Sequence, residues 1–229
     1  MGVLGDGWTF LTSSANWSGE AGIAHRLVEH VQMSLFATFI ATAIALPIGL
    51  YIGHARRGEV LATSIGNIGR ALPSFGVLAI VFPFTLRYEF LRFGDLGFSA
   101  TLIALVLLGI PPVLTNTFVG INGVDHDLVE AARGMGMRER EIVVKVEFPL
   151  AVPLIVAGIR SAAVAVVATA TLAALVAWGG LGRFIVDGFA VRDQPQIVAG
   201  ALLVALLAIV TEIAFALLER VLTPPGQPG

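Results

Sequence analysis

The chain alternates between long apolar runs and short polar breaks. Five runs are long enough to cross about 30 Å of hydrocarbon at about 1.5 Å per residue: 31–53, 61–86, 98–121, 150–178 and 197–222. Pro47, Pro73, Pro83, Pro111, Pro112 and Pro153 lie in or beside them. Proline frees a backbone carbonyl and bends a helix, which a bilayer tolerates where neighbouring helices satisfy the freed group. The pattern predicts a bent bundle with Gly, Ala, Ser and Thr at the close helix contacts. The runs at 61–86 and 150–178 exceed the minimum length, so tilt, kinks or extension beyond the membrane are expected there.

Composition agrees with this pattern. Charged residues are 13% of the 229 positions, about half the share of an ordinary soluble domain. The mean hydropathy of +0.88 adds to the same conclusion: an all-α polytopic membrane protein with about five transmembrane helices. A net charge of −2 gives no electrostatic footprint for nucleic acid. There is no cysteine, which excludes disulfides and thiolate metal sites. His25, His30, His54 and His126 form no HxxxH-type pair, so no metal is expected. Residues 1–29 lack the basic start, short apolar core and small-residue site of a cleaved signal. With Trp8 and Trp17 they read either as an amphipathic segment at the interface or as a loosely ordered lead-in. The membrane domain is expected over 30–222, and 223–229 as a disordered tail.

One break is unlike the others. Residues 130–149, EAARGMGMREREIVVKVEFP, hold Arg133, Arg138, Arg140 and Lys145 together with Glu130, Glu139, Glu141 and Glu147. Such a cluster cannot lie in the bilayer core, so 125–149 is expected to be an aqueous loop. Asp127 with Glu130 three residues on resembles a capping box, which predicts a short helix over 128–133. Gly134 and Gly136 break it. A second helix is expected from Arg138, with Ile142, Val143 and Val146 on one face and Pro149 at its junction with the next span. Ala131 and Ala132 would keep one side thin enough to enter a groove. On residues alone the loop is either a solvated connector or a docking element.

Charge counting orients the chain weakly. With this loop cytoplasmic, seven Lys/Arg lie inside and five outside, with Arg70 and Arg160 inside spans. That agrees with the positive-inside rule and puts the N-terminus outside and the C-terminus in the cytoplasm of the cell (inner) membrane.

Glu130-Ala131-Ala132, three residues, Gly136, nine residues, then Val146-Glu147-Phe148-Pro149 resembles the EAA loop of ABC importer permeases, with Val and Phe where Ile and Leu are usual. The likeness continues along most of the chain and is nearest to the osmoprotectant permeases for glycine betaine, carnitine, choline or proline betaine. Asn67, Arg70, Pro73 and Ser74 match a segment of the second span. Leu114-Thr115-Asn116-Thr117 matches another, with Thr115 where Arg is common. Ala157-Gly158-Ile159-Arg160 and Gly179-Gly180-Leu181-Gly182 continue the match.

The resemblance implies a type I importer permease fold like that of methionine permeases. It implies ATPase coupling through Glu130, Ala131, Ala132, Gly136 and Pro149. Its implied partners are cytoplasmic ATPase subunits, a second permease subunit in a homo- or heterodimer, and an extracytoplasmic substrate-binding protein. No cofactor is implied in this chain: ATP and Mg belong to the ATPase, and no G-x-x-x-x-G-K-[ST] phosphate loop is present.

Arg70 and Arg160 are expensive inside spans. They read either as parts of a translocation path or gate, or as hydrogen-bond partners and snorkelling side chains. Asn67, Pro73, Ser74, Gly180 and Gly182 join them as path or gate candidates. Other solutes, such as methionine or phosphonate, fit the same architecture. An ion-coupled secondary transporter predicts paired intramembrane carboxylates or an internal repeat; neither is evident in the sequence.

Overall fold

The computed structural model describes residues 2–222; the tail expected at 223–229 lies outside the described residues, as do the side chains of Val3, Leu4, Leu61, Arg70 and Leu96. Among the described residues every regular element is a helix. In chain order they are α1 (Val3–Thr12), α2 (Ile23–His54), α3 (Glu59–Ala71), α4 (Ser74–Arg87), α5 (Leu96–Asn122), α6 (His126–Gly134), α7 (Glu139–Ile142), α8 (Phe148–Thr169), α9 (Gly182–Val191) and α10 (Gln194–Leu222).

Four helices are long and apolar enough to cross a membrane: Ile23–His54, Gly97–Asn122, Glu139–Val176 and Gln194–Leu222. The fifth expected run folds as the pair α3 and α4, bent by 95°, and is long and apolar enough to cross only if the two are taken together. Pro73 causes the break. It pushes Leu72 into extended backbone (φ −71°, ψ 123°) because its ring clashes with a helical predecessor, and Ser74 then restarts the helix. The first span also begins earlier than its hydropathy, at Ile23.

Helix α5 sits at the centre: 67% of its spanning window is buried, against 6% for α10. The α2–α5 seam follows from sequence spacing. Ala37, Ala41, Ala45, Gly49 and Gly53 recur every fourth residue, are buried, and so form one ridge of α2. A methyl on Gly49 would come within 2.7 Å of Thr117 on α5; the small ridge is what lets the backbones approach. Met33, Ala37 and Ala41 of α2, Leu102, Leu105 and Val106 of α5, and Val166 and Ala170 beyond form the central core. Helix α1 lies along α10, with Phe10 edge-on to Phe184 at 6.1 Å.

Helix α7 continues into α8 through a π turn, Val143–Glu147. Pro149 and Pro153 follow at once and cannot donate to the ladder; a widened turn is one way a helix absorbs such a fault. At its far end α8 tightens into a 3-10 turn, Ala170–Val176. Trp178 packs edge-on against Phe98 (5.8 Å), partly buried against the central core.

Candidate functional site

The polar loop folds as helix, turn, helix. The cap of α6 is Asp125, whose carboxylate accepts from the Asp127 N–H at 2.9 Å. The expected cap at Asp127 is therefore displaced by two residues; Asp127 sits in the first turn, where a negative charge still favours the helix dipole. The capping interaction of the loop stands one helix later, where Glu141 accepts from the Arg138 N–H at 3.1 Å.

The end of α6 explains Gly136. Gly136 N–H reaches the Arg133 carbonyl at 3.0 Å, and Met137 N–H reaches that of Ala132 at 3.2 Å. These are the two bonds of a Schellman turn, which requires a left-handed residue after the cap. Gly136 supplies it, with φ +85°. Met137 then folds back onto Val124, Val129, Ala132 and Ile142.

This packing corrects one expectation. Ala132 is 2% exposed and faces α7, so it does not thin the outward side. That side carries Ala131 between Leu128 (50% exposed) and Met135 (78%), spaced on one helical face. Glu130 is exposed beside them, its carboxylate 3.5 Å from His126. Pro149 is at the start of α8, within the membrane-spanning helix, and not on the exposed face.

Behind the exposed face runs a chain of charges. Arg133 forks onto Glu139 with bonds of 2.8 and 2.9 Å, and that hydrogen bond raises the arginine pKa further above its ordinary value. Glu139 meets Nε2 of His54 at 3.2 Å, and Nδ1 of His54 meets Glu147 at 2.7 Å. Arg56 donates to the Val124 carbonyl at 2.8 Å. The sequence reading did not single out His54 or the pairing of Glu139 and Glu147. The available cue was Glu147 itself, a charge on the last turn before an uncharged run.

The path and gate candidates fall into three places. Asn67 and Arg70 lie on α3, and Pro73 and Ser74 form the break that follows; the Arg70 side chain is outside the described residues. Arg160 is on α8 and is taken up by α10, with Glu219 at 2.9 Å and Glu212 at 3.4 Å. Gly180 and Gly182 lie at the start of α9, where Glu29 and His30 of α2 hold them. Gly180 N–H donates to Glu29 at 2.8 Å and Leu181 N–H to His30 Nδ1 at 3.2 Å. His30 Nε2 lies 2.9 Å from the Val167 carbonyl; with Nδ1 accepting, Nε2 carries the proton and donates. Arg26 steadies Glu29 from the same helix at 2.8 Å. Gly180 has φ +87°, and a methyl on Gly182 would collide with the Thr171 carbonyl.

A cavity of about 410 Å³ opens between α3, α5 and α8, lined among others by Gly66, Gly69, Thr115, Asn116, Ser161 and Thr169. Its lining carries hydroxyl and amide groups, and among the described residues no charged or aromatic side chain. Among the described residues there is no cluster able to hold a metal.

Comparison with known proteins converges. Residues 45–224 match the family described as binding-protein-dependent transport system inner membrane component. The choline transport system permease protein OpuBB of Bacillus subtilis is 35% identical over 205 residues, spanning 90% of each chain. The carnitine transport permease protein OpuCB of Listeria monocytogenes is 37% identical over 196 residues, 86% of each. Among solved structures, a chain of the MetNI methionine ABC transporter in an inward-facing conformation superimposes with a TM-score of 0.75 at 24% identity, over 88% of this chain and 96% of its own. A match over most of the length, by sequence and by fold, makes this chain a member of the binding-protein-dependent transport system inner membrane component family.

Proposed function

We propose that the chain is the permease subunit of an ATP-driven importer for a compatible solute of the glycine betaine, choline, carnitine or proline betaine type. The observation that carries the coupling role is the outward face of α6. Ala131, set between exposed Leu128 and Met135 with Glu130 at the side, is a thin apolar stripe suited to an ATPase groove. The Schellman turn at Gly136 fixes its direction. The solute class is supported by the choline and carnitine permeases among the relatives.

In this reading α6 and α7 face the cytoplasm, the N-terminus lies outside and the C-terminus inside. ATPase subunits dock on α6, a second permease subunit completes the path, and a binding protein delivers solute on the side of Gly180 and Gly182. The solute crosses beside the α3–α4 break through the cavity at Thr115 and Asn116. The hydroxyls and amide of the described lining would pass a quaternary ammonium solute without holding it, leaving selection to the binding protein.

The test combines co-purification and uptake. The ATPase subunit should come down with the wild-type chain and be lost with Glu130→Lys, while membrane insertion persists. A deletion strain should lose uptake of labelled glycine betaine or choline and keep that of methionine. Retained ATPase binding and uptake in Glu130→Lys would refute the docking role, and loss of methionine uptake alone would refute the solute class.

A further inference from the structure

We propose that His54 is the positioning residue that locks the docking loop to the membrane bundle, and that it does so as an imidazolium bridging Glu139 and Glu147. The inference rests on the coupling role of α6 proposed above. Its geometric basis is independent of that role.

Both ring nitrogens of His54 face carboxylate oxygens: Nδ1 to Glu147 at 2.7 Å and Nε2 to Glu139 at 3.2 Å. An ionised carboxylate only accepts hydrogen bonds, and a neutral imidazole has one donor and one lone pair. A neutral ring would therefore point a lone pair at one of the two carboxylates. With both carboxylates ionised, only the doubly protonated ring satisfies both. Glu147 is 1% exposed, and a carboxylate so removed from water needs a paired donor.

The bridge also ties α2 to the part of the loop under α6, away from the apolar cluster that Leu46 and Leu50 share with Phe148 at the loop's end. The cluster under α6 is built from Val124, Val129, Ala132 and Ile142 with Met137 and Val146, and contains no residue of α2. Helix α2 and the residues just after it reach this part of the loop through polar contacts, His54 onto Glu139 and Glu147 and Arg56 onto the Val124 carbonyl. Through Glu139 the bridge continues to the Arg133 fork on α6. A displacement of α6 thus reaches α2 by way of His54.

The charged groups around the ring are few. Glu139 and, beyond it, Arg133 face it from the loop, Glu147 faces it from the π turn, and Arg56 and Arg57 follow it on its own segment. Glu130 lies farther out on α6, and α3 begins with Glu59. Helix α5, which packs along α2, has no titratable side chain.

Three measurements test this on the full chain. In the purified permease alone, His54→Gln, which keeps one donor, should speed amide exchange over 126–142 at least tenfold. Nitrogen NMR of the wild-type ring at neutral pH should show both nitrogens protonated. In the reconstituted complex with its ATPase, solute moved per ATP should fall several-fold in His54→Gln.

A neutral ring at neutral pH, or unchanged exchange in His54→Gln, overturns the proposal whatever transport does. Faster exchange and a protonated ring with unchanged transport per ATP would uphold the bridge and overturn its part in coupling. Glu130→Lys separates the two readings: if it leaves ATPase docking intact, the role of α6 fails while the bridge stands on the exchange and NMR data.

Discussion

Replacing His30 by leucine removes the imidazole that joins three segments and leaves the rest of α2 unchanged. The ring is fully buried, as is Leu181. It accepts from the Leu181 N–H at 3.2 Å and donates to the Val167 carbonyl at 2.9 Å. Leucine fills much of the volume but offers neither function. The Leu181 N–H would be left as a buried, unpaired donor, which costs about 1–3 kcal/mol, and loss of the second bond adds about 1 kcal/mol. The segment 179–182 would thus be destabilised by about 2–4 kcal/mol. At about 1.4 kcal/mol per factor of ten, that is roughly 30- to 700-fold in the local opening equilibrium. Hydrogen exchange of the Leu181 amide in detergent or nanodiscs reads this directly, with amides of α5 as an internal control for global stability. Protection of Leu181 within threefold of wild type, in a variant whose α5 amides are unchanged, would refute the reasoning. The segment would then be held by its own turn and by Glu29.

Two further substitutions probe other contacts. Arg160→Met should destabilise α10 packing, and a double-mutant cycle with Glu219→Gln in a chemical-unfolding assay should give a coupling of about 0.5–2 kcal/mol. A coupling near zero would mean that the 2.9 Å pair does not hold α8 to α10. At Gly136 a methyl would touch nothing within 4 Å, so the cost of Gly136→Val is conformational, about 1–2 kcal/mol for a side chain in left-handed backbone. Asparagine tolerates that region. Transport per ATP should therefore fall in Gly136→Val and stay near wild type in Gly136→Asn, and equal loss in both would point to a contact made by the glycine itself.

Much of this architecture was legible in the chain. Hydropathy located the four long crossings because lipid imposes one requirement along a whole helix. The EAA spacing located the loop because α6, its turn and α7 are local, and local turns obey local rules. What stayed hidden needed partners far away in sequence. Glu29 and Gly180 are 151 positions apart, and nothing in the neighbourhood of His30 announces that it will meet Leu181. Burial was also misjudged where two like residues adjoin: Ala131 and Ala132 are chemically equal, and only the packing of Ile142 decides that Ala132 turns inward. The 61–86 run reads as one span because hydropathy is blind to direction. Pro73 marked the break, but its 95° angle depends on how α4 meets α5.

Helix α2 is held near both ends, by His30 at Leu181 and by His54 at Glu147. The two histidines are 24 residues apart on one continuous helix, about 36 Å at 1.5 Å per residue. A body of that length is a lever. A tilt of about 5° displaces its far end by about 3 Å, more than either bridge can stretch and survive. Motion at one end must therefore carry the other with it, unless a bridge parts or the shaft flexes. Its weakest section is at Pro47, whose ring leaves the Ala43 carbonyl without its helical donor. Stiffening there would make opening at the Gly180 end and closing at the Glu147 end a single event, and softening there would let the two fall out of step.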